Sequence, residues 1–314
     1  MRWPALDYPA EREVYETVHA WLQVVGKLPV RTTPWVNHGW HVAMRVVPRG
    51  FRTYVLPTGE ADYELLFDIL GERVLLTTSA GFSVAVPLTG QTVAAFHAEL
   101  SEKLAEIGAP APLQGGPNEV PDPAIPFDQD HRERMWDAEV AGRMHGAFLS
   151  ADRVFSRFRS GFVGKSSPSH LFFGSFDLAV TRFSGRRAPT HPGGFPNLPD
   201  PVTREAYSHE VVSAGFWTGG GGVDEAAFYA YTYPAKDAFG AASLEPGAAY
   251  WLGDLSEFVL PYAAVAGADD PDAALMAFLQ STYEAGAKAL GFPADLTEDI
   301  GPVGQPPRRY QEMT

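Results

Sequence analysis

The sequence predicts an α+β protein in which two halves, each built as helix, antiparallel strands and helix, pack together with pseudo-two-fold symmetry. Three observations lead to this prediction. Apolar residues recur every three or four positions in four long segments, which is typical of helices, and alternate with polar residues in the segments between them, which is typical of strands. Glycine and proline separate the alternating segments. The strands follow one another without intervening helices, so antiparallel sheets are expected.

Composition limits the class of protein. The chain has 314 residues, of which 45% are hydrophobic, and this is enough for one large or two medium domains with a sizeable core. Its net charge of −14 argues against nucleic-acid binding and against an anionic membrane as partner, because both need clustered positive charge. Cysteine is absent, so a metal would be held by histidine and carboxylate. No long apolar run and no leader-like segment follows Met1, so a cytoplasmic location is expected.

The first half is expected to span residues 1–108. Helices are predicted over residues 11–25, ending at Gly26, and over residues 92–107. Six segments of alternating apolar residues lie between them and are predicted to be strands. These segments are residues 28–33, 40–47, 51–56, 63–70, 74–78 and 82–86.

The second half is expected to span residues 131–292, after a connector over residues 109–130 and before a tail over residues 293–314. Six prolines exclude a helix or a central strand from the connector, which is expected to be ordered and extended. Long helices are predicted over residues 132–162 and 272–290. Residues 183–208 are rich in proline and glycine and are predicted to form a long loop over one end of the sheet.

Matched segments predict that the two halves arose by duplication. The order of helices, strands and turns is similar in both, and individual residues fall at corresponding positions. The corresponding pairs are Gly26 and Gly164, His41 and Asp177, and Glu64 and Glu210. The alternative is convergence, because any two α+β units share helix-ending glycines and alternating strands.

Three long motifs carry a resemblance to a known family. They are Thr33-Pro34-Trp35-Val36-Asn37-His38, the segment 169–186 that begins Ser169-His170-Leu171, and Tyr207-Ser208-His209-Glu210-Val211 followed by Ser213-Ala214-Gly215-Phe216-Trp217. Over nearly its whole length the chain resembles a bacterial family known only as a domain of unknown function. The resemblance implies that these segments form one unit, and it implies no activity.

Histidines and carboxylates are the main candidates for chemistry. The predicted catalytic residues are His170, Asp177, His209 and Glu210. His38 and His41 are predicted metal ligands, because a cluster of His and carboxylate suits Zn²⁺ or another divalent ion with an open position for water. A turn at Gly39 would be needed to bring both to one site. The alternative for each histidine is a hydrogen-bonded role inside an aromatic core.

Aromatic and cationic residues are the candidates for ligand binding. The predicted substrate-binding residues are Trp35, Asn37, Trp40, Lys165, Arg182 and Trp217. Lys165 and the arginines that follow it in sequence offer charged hydrogen bonds to a carboxylate or phosphate, although the arginines also have surface Asp and Glu as alternative partners. Tyr229, Tyr231 and Tyr233 alternate, so their hydroxyls would lie on one strand face, which favours a pocket wall or an interface.

Two functions from different classes remain open. The first is a soluble enzyme, a hydrolase with a divalent metal as its candidate cofactor, acting on a small molecule in a cleft between the halves. A triad of Ser208 or Ser213 with His209 and Glu210 is a weaker form of this hypothesis, because no G-x-S-x-G turn is present. The second is a non-catalytic protein that binds a small molecule in an aromatic-lined cleft. A scaffold that uses the tyrosine-rich strand as an interface is a third alternative.

Overall fold

The computed structural model describes residues 3–58, 61–121, 123–220 and 223–297, and it confirms the α+β class. Two antiparallel sheets are covered by helices on their apolar faces. The part of the predicted tail that follows residue 297 lies outside the described residues. No helix in the described ranges is long and apolar enough to cross a membrane.

The long helices begin where side chains can cap them. Asp7, Thr92, Asp137 and Asp270 each accept a hydrogen bond from a backbone N–H in the first turn of the helix that follows. The helices are α1 (Tyr8–Thr32), α2 (Val93–Glu106), α3 (Ala138–Ser160), α4 (Asp200–Ala206), α5 (Asp237–Gly240), α6 (Tyr262–Ala266) and α7 (Pro271–Leu290). Short 3-10 segments occur at Asn37–Val42, Ile69–Gly71, Phe127–Gln129 and Ala294–Leu296.

The strands form two sheets that meet at one edge. The first sheet has the order β1 (Arg45–Val47), β2 (Gly50–Arg52), β3 (Tyr63–Asp68), β4 (Arg73–Thr78) and β5 (Ser83–Pro87). The second has the order β10 (Tyr250–Leu252), β11 (Glu257–Pro261), β9 (Ala227–Tyr233), β8 (His209–Trp217), β7 (Asp177–Arg187) and β6 (His170–Phe172). Met44, just before β1, exchanges backbone hydrogen bonds of 2.8 and 2.9 Å with Leu171 of β6.

The two sheets resemble each other only in part. Strands pair in chain order through the whole first sheet and from β6 to β9 in the second, but β11 then pairs with β9 and leaves β10 at the edge. The pseudo-symmetric arrangement is not confirmed and stays a prediction.

The predicted end of α1 at Gly26 and the predicted strand over residues 28–33 are wrong. The helix continues to Thr32, because Val25 and Leu28 lie on its buried face and pack into the core. Pro29 removes one N–H from the last turn, but its carbonyl accepts the backbone N–H of Thr33. Gly26 therefore lies inside a helix, whereas Gly164 follows the end of α3, and this pair does not correspond.

Other predicted segments also differ from the structure: the helix predicted over residues 132–162 begins at Ala138, and the strand predicted over residues 51–56 ends at Arg52. The strand predicted over residues 40–47 begins only at Arg45, because residues 37–42 form a 3-10 segment with positive φ angles at His38 (64°) and Gly39 (70°). The long loop predicted over residues 183–208 is shorter, because β7 extends to Arg187 and α4 occupies Asp200–Ala206. The remaining loop is residues 188–199.

The core is one continuous cluster that includes buried residues of both halves. Helix α3 lies at its centre. The ring of Phe148 lies 5.3 Å from Phe51 of the first sheet and 5.0 Å from Phe216 of the second. Trp3, from the first residues described, packs against Phe228 of the second sheet at 6.1 Å. The two sheets are therefore held together by shared apolar packing.

Gly26 is required for close packing rather than for helix termination. A Cβ at this position would overlap the ring of Phe173, which lies in the turn between β6 and β7. The absence of a side chain lets α1 approach the second sheet directly. Gln23, one turn earlier on α1, donates to the carbonyl of Gly174 at 2.9 Å in the same turn.

We expect Gly26→Ala to lower the free energy of unfolding by about 1–3 kcal/mol, because the added methyl group forces Phe173 out of its packed position. Gly142→Ala is the matched control on α3, since no described atom outside the adjacent backbone of that helix lies within 4 Å of a Cβ built there. It should be neutral or stabilising by up to about 1 kcal/mol through helix propensity. Urea denaturation of both variants tests this, and equal effects would contradict the packing argument.

Candidate functional site

One face of the second sheet carries most of the polar and aromatic candidates. Successive strand residues point to opposite faces. In β8, Val212, Ala214 and Phe216 are buried against the helices, so the residues between them point the other way. We call this other side the polar face. It is formed by Asp177, Thr181, Arg187, His209, Ser213, Trp217, Tyr229, Tyr231, Tyr233 and Glu257.

Asp177 begins β7 and lies at the centre of a hydrogen-bonded group. Its carboxylate accepts the hydroxyls of Ser175 and Tyr229. The Tyr229 ring reaches β7 by lying across Gly215 of β8, where any Cβ would overlap it. Burial raises the pKa of Asp177, and the two hydroxyl donors act in the opposite direction. A glycine in the middle of a strand is thus what allows this contact.

Two glutamates complete a carboxyl cluster, which we define as Asp177, Glu119 and Glu257. Burial and, to a smaller extent, the charge of Asp177 together raise the pKa of Glu119 to about 7 and that of Glu257 to about 7. Both glutamates keep partial contact with solvent. Among the described residues, no basic side chain acts on either pKa. The cluster therefore concentrates three acidic groups without a compensating cation.

The segment predicted to be a connector places Glu119 over the polar face. Asn118 is held by Gln23 of α1, whose Oε1 accepts the Asn118 N–H at 3.0 Å, and by the ammonium of Lys27. The N–H of Glu119 donates to the carbonyl of Pro196 at 2.9 Å in the loop 188–199. The connector and this loop thus lie together above β7 to β9.

Tyrosines line the polar face beside the carboxyl cluster. The hydroxyls of Tyr207 and Tyr231 lie 3.2 Å apart. Burial raises the pKa of Tyr231 to about 12, so its hydroxyl stays protonated at neutral pH. The Tyr207 ring also stacks on His191 of the loop at 4.7 Å and meets Tyr233 at 5.1 Å. The predicted alternation of tyrosines does place their hydroxyls on one face.

A basic cluster lies at the end of the polar face where Arg187 pairs with His209, away from Asp177. We define it as His38, Lys165, Arg187 and His209. The ammonium of Lys165 donates to His38 Nε2 at 2.7 Å. Because Nε2 accepts, Nδ1 of His38 carries the proton and donates to the carbonyl of Ala206 at 3.2 Å. Burial lowers the pKa of His38, and the charge of Lys165 lowers it further.

His170 lies on β6, between the basic cluster and the first sheet. The Trp40 indole packs edge-on against it at 5.9 Å, and the Tyr54 hydroxyl lies 3.2 Å from its Nε2. Burial lowers the pKa of His170 to about 4, so the ring is neutral. Its Nδ1 is buried and has no partner among the described residues. The segment Asn37–Val42 and strand β6 are therefore neighbours.

The structure does not bring Glu210 or Arg182 to the polar face. Glu210 follows His209 on β8 and so points to the opposite side, where it accepts the Ser184 hydroxyl and pairs with Arg186 at 2.7 Å. Ser208 lies 3.0 Å from His209 Nδ1, but Glu210 is not aligned with them and no triad forms. Arg182 is buried and lies 3.4 Å from the Phe158 ring of α3. Its predicted role in substrate binding does not fit this position.

The predicted metal ligands have separate partners. His38 contacts Lys165, whereas His41 accepts the Val36 N–H at 3.3 Å and packs on Trp35 at 4.7 Å. Within the described ranges, no group of three or more His, Asp or Glu side chains has the geometry of a metal site. Trp35 and Asn37, which were predicted to bind substrate, are exposed. A metal therefore stays a prediction.

Sequence reasoning missed Glu119, Glu257 and Tyr207. Glu119 lies in the proline-rich connector and Glu257 begins β11, so each comes from a part of the chain distant from Asp177. The alternating tyrosines of β9 gave the one available signal, since they indicated a face rich in hydroxyl groups. The partners of that face depend on strand order, which the sequence did not specify.

Together the fold and this face define an α+β protein with a carboxyl- and tyrosine-lined surface beneath the segment that holds Glu119. The chain belongs to the family of unknown function DUF5996, whose profile matches residues 3–299. No curated protein and no solved structure shows a significant match to it.

Proposed function

We propose that the protein is a hydrolase that uses general acid–base catalysis on a small molecule bound at the polar face. One observation carries the proposal: Asp177 lies among hydroxyl donors, while Glu119 and Glu257 nearby have pKa values raised to about 7. Neighbouring carboxyls with raised pKa values, one of which also accepts hydroxyl hydrogen bonds, can supply both an acid and a base near neutral pH.

The roles follow from the environment of each carboxyl group. Burial raises the pKa of all three carboxyl groups, and Asp177 accepts two hydroxyl hydrogen bonds that oppose this shift, so we assign it the role of base. It takes a proton from water as the water oxygen bonds to the electrophilic centre. Glu119 or Glu257, protonated, gives its proton to the leaving group as the scissile bond breaks. Tyr229 and Tyr231 provide hydroxyls and ring faces that position the ligand.

The proposal uses no metal, and the predicted divalent ion is a separate hypothesis. Metal analysis of purified protein tests it directly. The cytoplasmic location expected from the sequence likewise belongs with the proposal.

Comparing wild type with Asp177→Asn on a panel of chromogenic esters, phosphoesters, glycosides and amides tests this function. We expect turnover of at least one class by wild type and a loss of kcat/KM of about 100-fold or more in Asp177→Asn, because the base is removed while the shape is kept. Glu210→Gln is the matched control, since Glu210 faces the helices and should keep kcat/KM within about threefold. Indistinguishable wild type and Asp177→Asn would contradict the proposal.

A non-catalytic binding protein is the second candidate. The observation that favours it is the stack of His191 and Tyr207, with Tyr233 packed edge-on beside it, which gives an aromatic cluster suited to holding a ligand. Ligand binding without turnover on the same panel would favour this candidate.

A further inference from the structure

We infer that Lys165, Arg187 and His209 form a binding site for an oxyanion, namely the phosphate or carboxylate group of a small molecule. The inference that this site binds the anionic end of a substrate rests on the proposed function. The inference that it binds an anion does not depend on that function. The proposed hydrolase would then act on substrates that carry an anionic group and place it at the basic cluster.

The first support is the lack of acidic partners. In the part of the chain that the structure describes, neither Lys165 nor Arg187 forms an ion pair, although the chain has 38 acidic residues. Both side chains are exposed. Other basic residues near them in sequence are occupied: Arg186 pairs with Glu210, and Arg182 is buried. Cations left free in an acidic protein attract anionic ligands.

The second support is the geometry that brings these groups together. A bulge in β7 between Phe183 and Arg187 shifts the register, so that Arg187 rejoins the ladder directly opposite His209. Side chains opposite each other in antiparallel strands point to the same face. The rings of His209 and His38 lie 5.7 Å apart, and His38 accepts from Lys165. The bulge therefore places the Arg187 side chain where the side chains of Lys165 and His209 already lie close together.

The third support is the way in which Lys165 is held. Its ammonium lies 4.8 Å from the Phe183 ring and 5.4 Å from the Trp40 ring, and it donates one hydrogen bond to His38. Because an ammonium has three donors, two remain for a ligand. Burial lowers the pKa of His209, and the charges of Lys165 and Arg187 lower it further. This mutual repulsion is relieved when an anion binds between the three groups.

Calorimetric titration of the whole protein with inorganic phosphate, and separately with acetate, tests the inference and distinguishes the two oxyanions. We expect saturable binding of at least one anion, weakening as ionic strength rises. Lys165→Met should weaken it about tenfold or more, because a charge-assisted hydrogen bond is lost. Lys288→Met, which removes an exposed lysine of α7, should bind as wild type does.

A second variant distinguishes the loss of an anion contact from misfolding. Arg187→Gln changes an exposed side chain and should also weaken binding severalfold with an unchanged thermal transition. Absence of saturable binding by wild type, or equal binding by wild type and Lys165→Met, would overturn the inference. Asp177→Asn should bind the anion at least as tightly as wild type while losing turnover, so failure of the hydrolase proposal and failure of the anion site give different results.

Discussion

Arg182→Ala is expected to lower the free energy of unfolding by about 3 kcal/mol or more. The guanidinium is almost completely buried and lies 3.4 Å from the ring of Phe158, 4.3 Å from Tyr283 and 5.1 Å from Phe162. One of its nitrogens donates to the Phe158 carbonyl near the end of α3, where a cation also favours the helix dipole. Alanine would remove these contacts and leave a cavity between α3, α7 and β7.

Guanidinium chloride denaturation of three variants separates packing from charge. Arg182→Met fills most of the same space and should recover more than half of the loss, because the aromatic rings keep an apolar neighbour. Arg187→Ala removes an exposed arginine from the same strand and should change stability by less than about 0.5 kcal/mol. A loss below about 1 kcal/mol for Arg182→Ala would show that the buried position contributes little.

The sequence predicted best the helices in which apolar residues recur at helical spacing over a long segment and a side chain caps the N-terminus. Helices α2, α3 and α7 are each preceded by a capping Thr or Asp, and α7 ends at Gly291 in a left-handed conformation. The rule that a glycine ends a helix does not hold in α1, because Gly26 allows close contact with Phe173. The β-branched residues after Gly26 indicate a strand by sequence alone, but they continue the helix. Packing against the turn that holds Phe173 determines the conformation of this part of α1, and the local sequence does not contain that information.

The sequence predicted only those features of the candidate site that follow from the alternation of side chains along a strand. Alternation along β8 by itself separates His209 from Glu210, and alternation along β7 separates Asp177 from Arg182. Alternation also places Arg187 on the face of Asp177, but its pairing with His209 was not predictable, because the bulge in β7 changes the register. Carboxyls that come from the connector and from β11 meet Asp177 only after the sheet has formed, and no local pattern encodes that contact.

Glu119 and Glu257 are expected to make the protein less stable as the pH rises from 4.5 to about 7. Each has a pKa raised from 4.5 to about 7, first by burial and then by the charge of Asp177. The folded state therefore binds more protons than the unfolded state in this range, and the stabilisation present below pH 4.5 is lost as the pH passes through the folded pKa. Such shifts correspond to about 3 kcal/mol for each group, and partial exposure reduces this to about 2 kcal/mol.

The double variant Glu119→Gln with Glu257→Gln keeps the shape of both side chains and removes their charge. At pH 8 it should be more stable than wild type by about 4 kcal/mol, and at pH 4.5 the two proteins should be similar, because the wild-type carboxyls are then protonated. Urea denaturation at several pH values measures the difference. Glu102→Gln, at an exposed position of α2, is the control and should follow wild type. Parallel pH profiles for wild type and the double variant would show that these two carboxyls are ionised in the folded protein throughout this range, and the proposed general acid would then be lost.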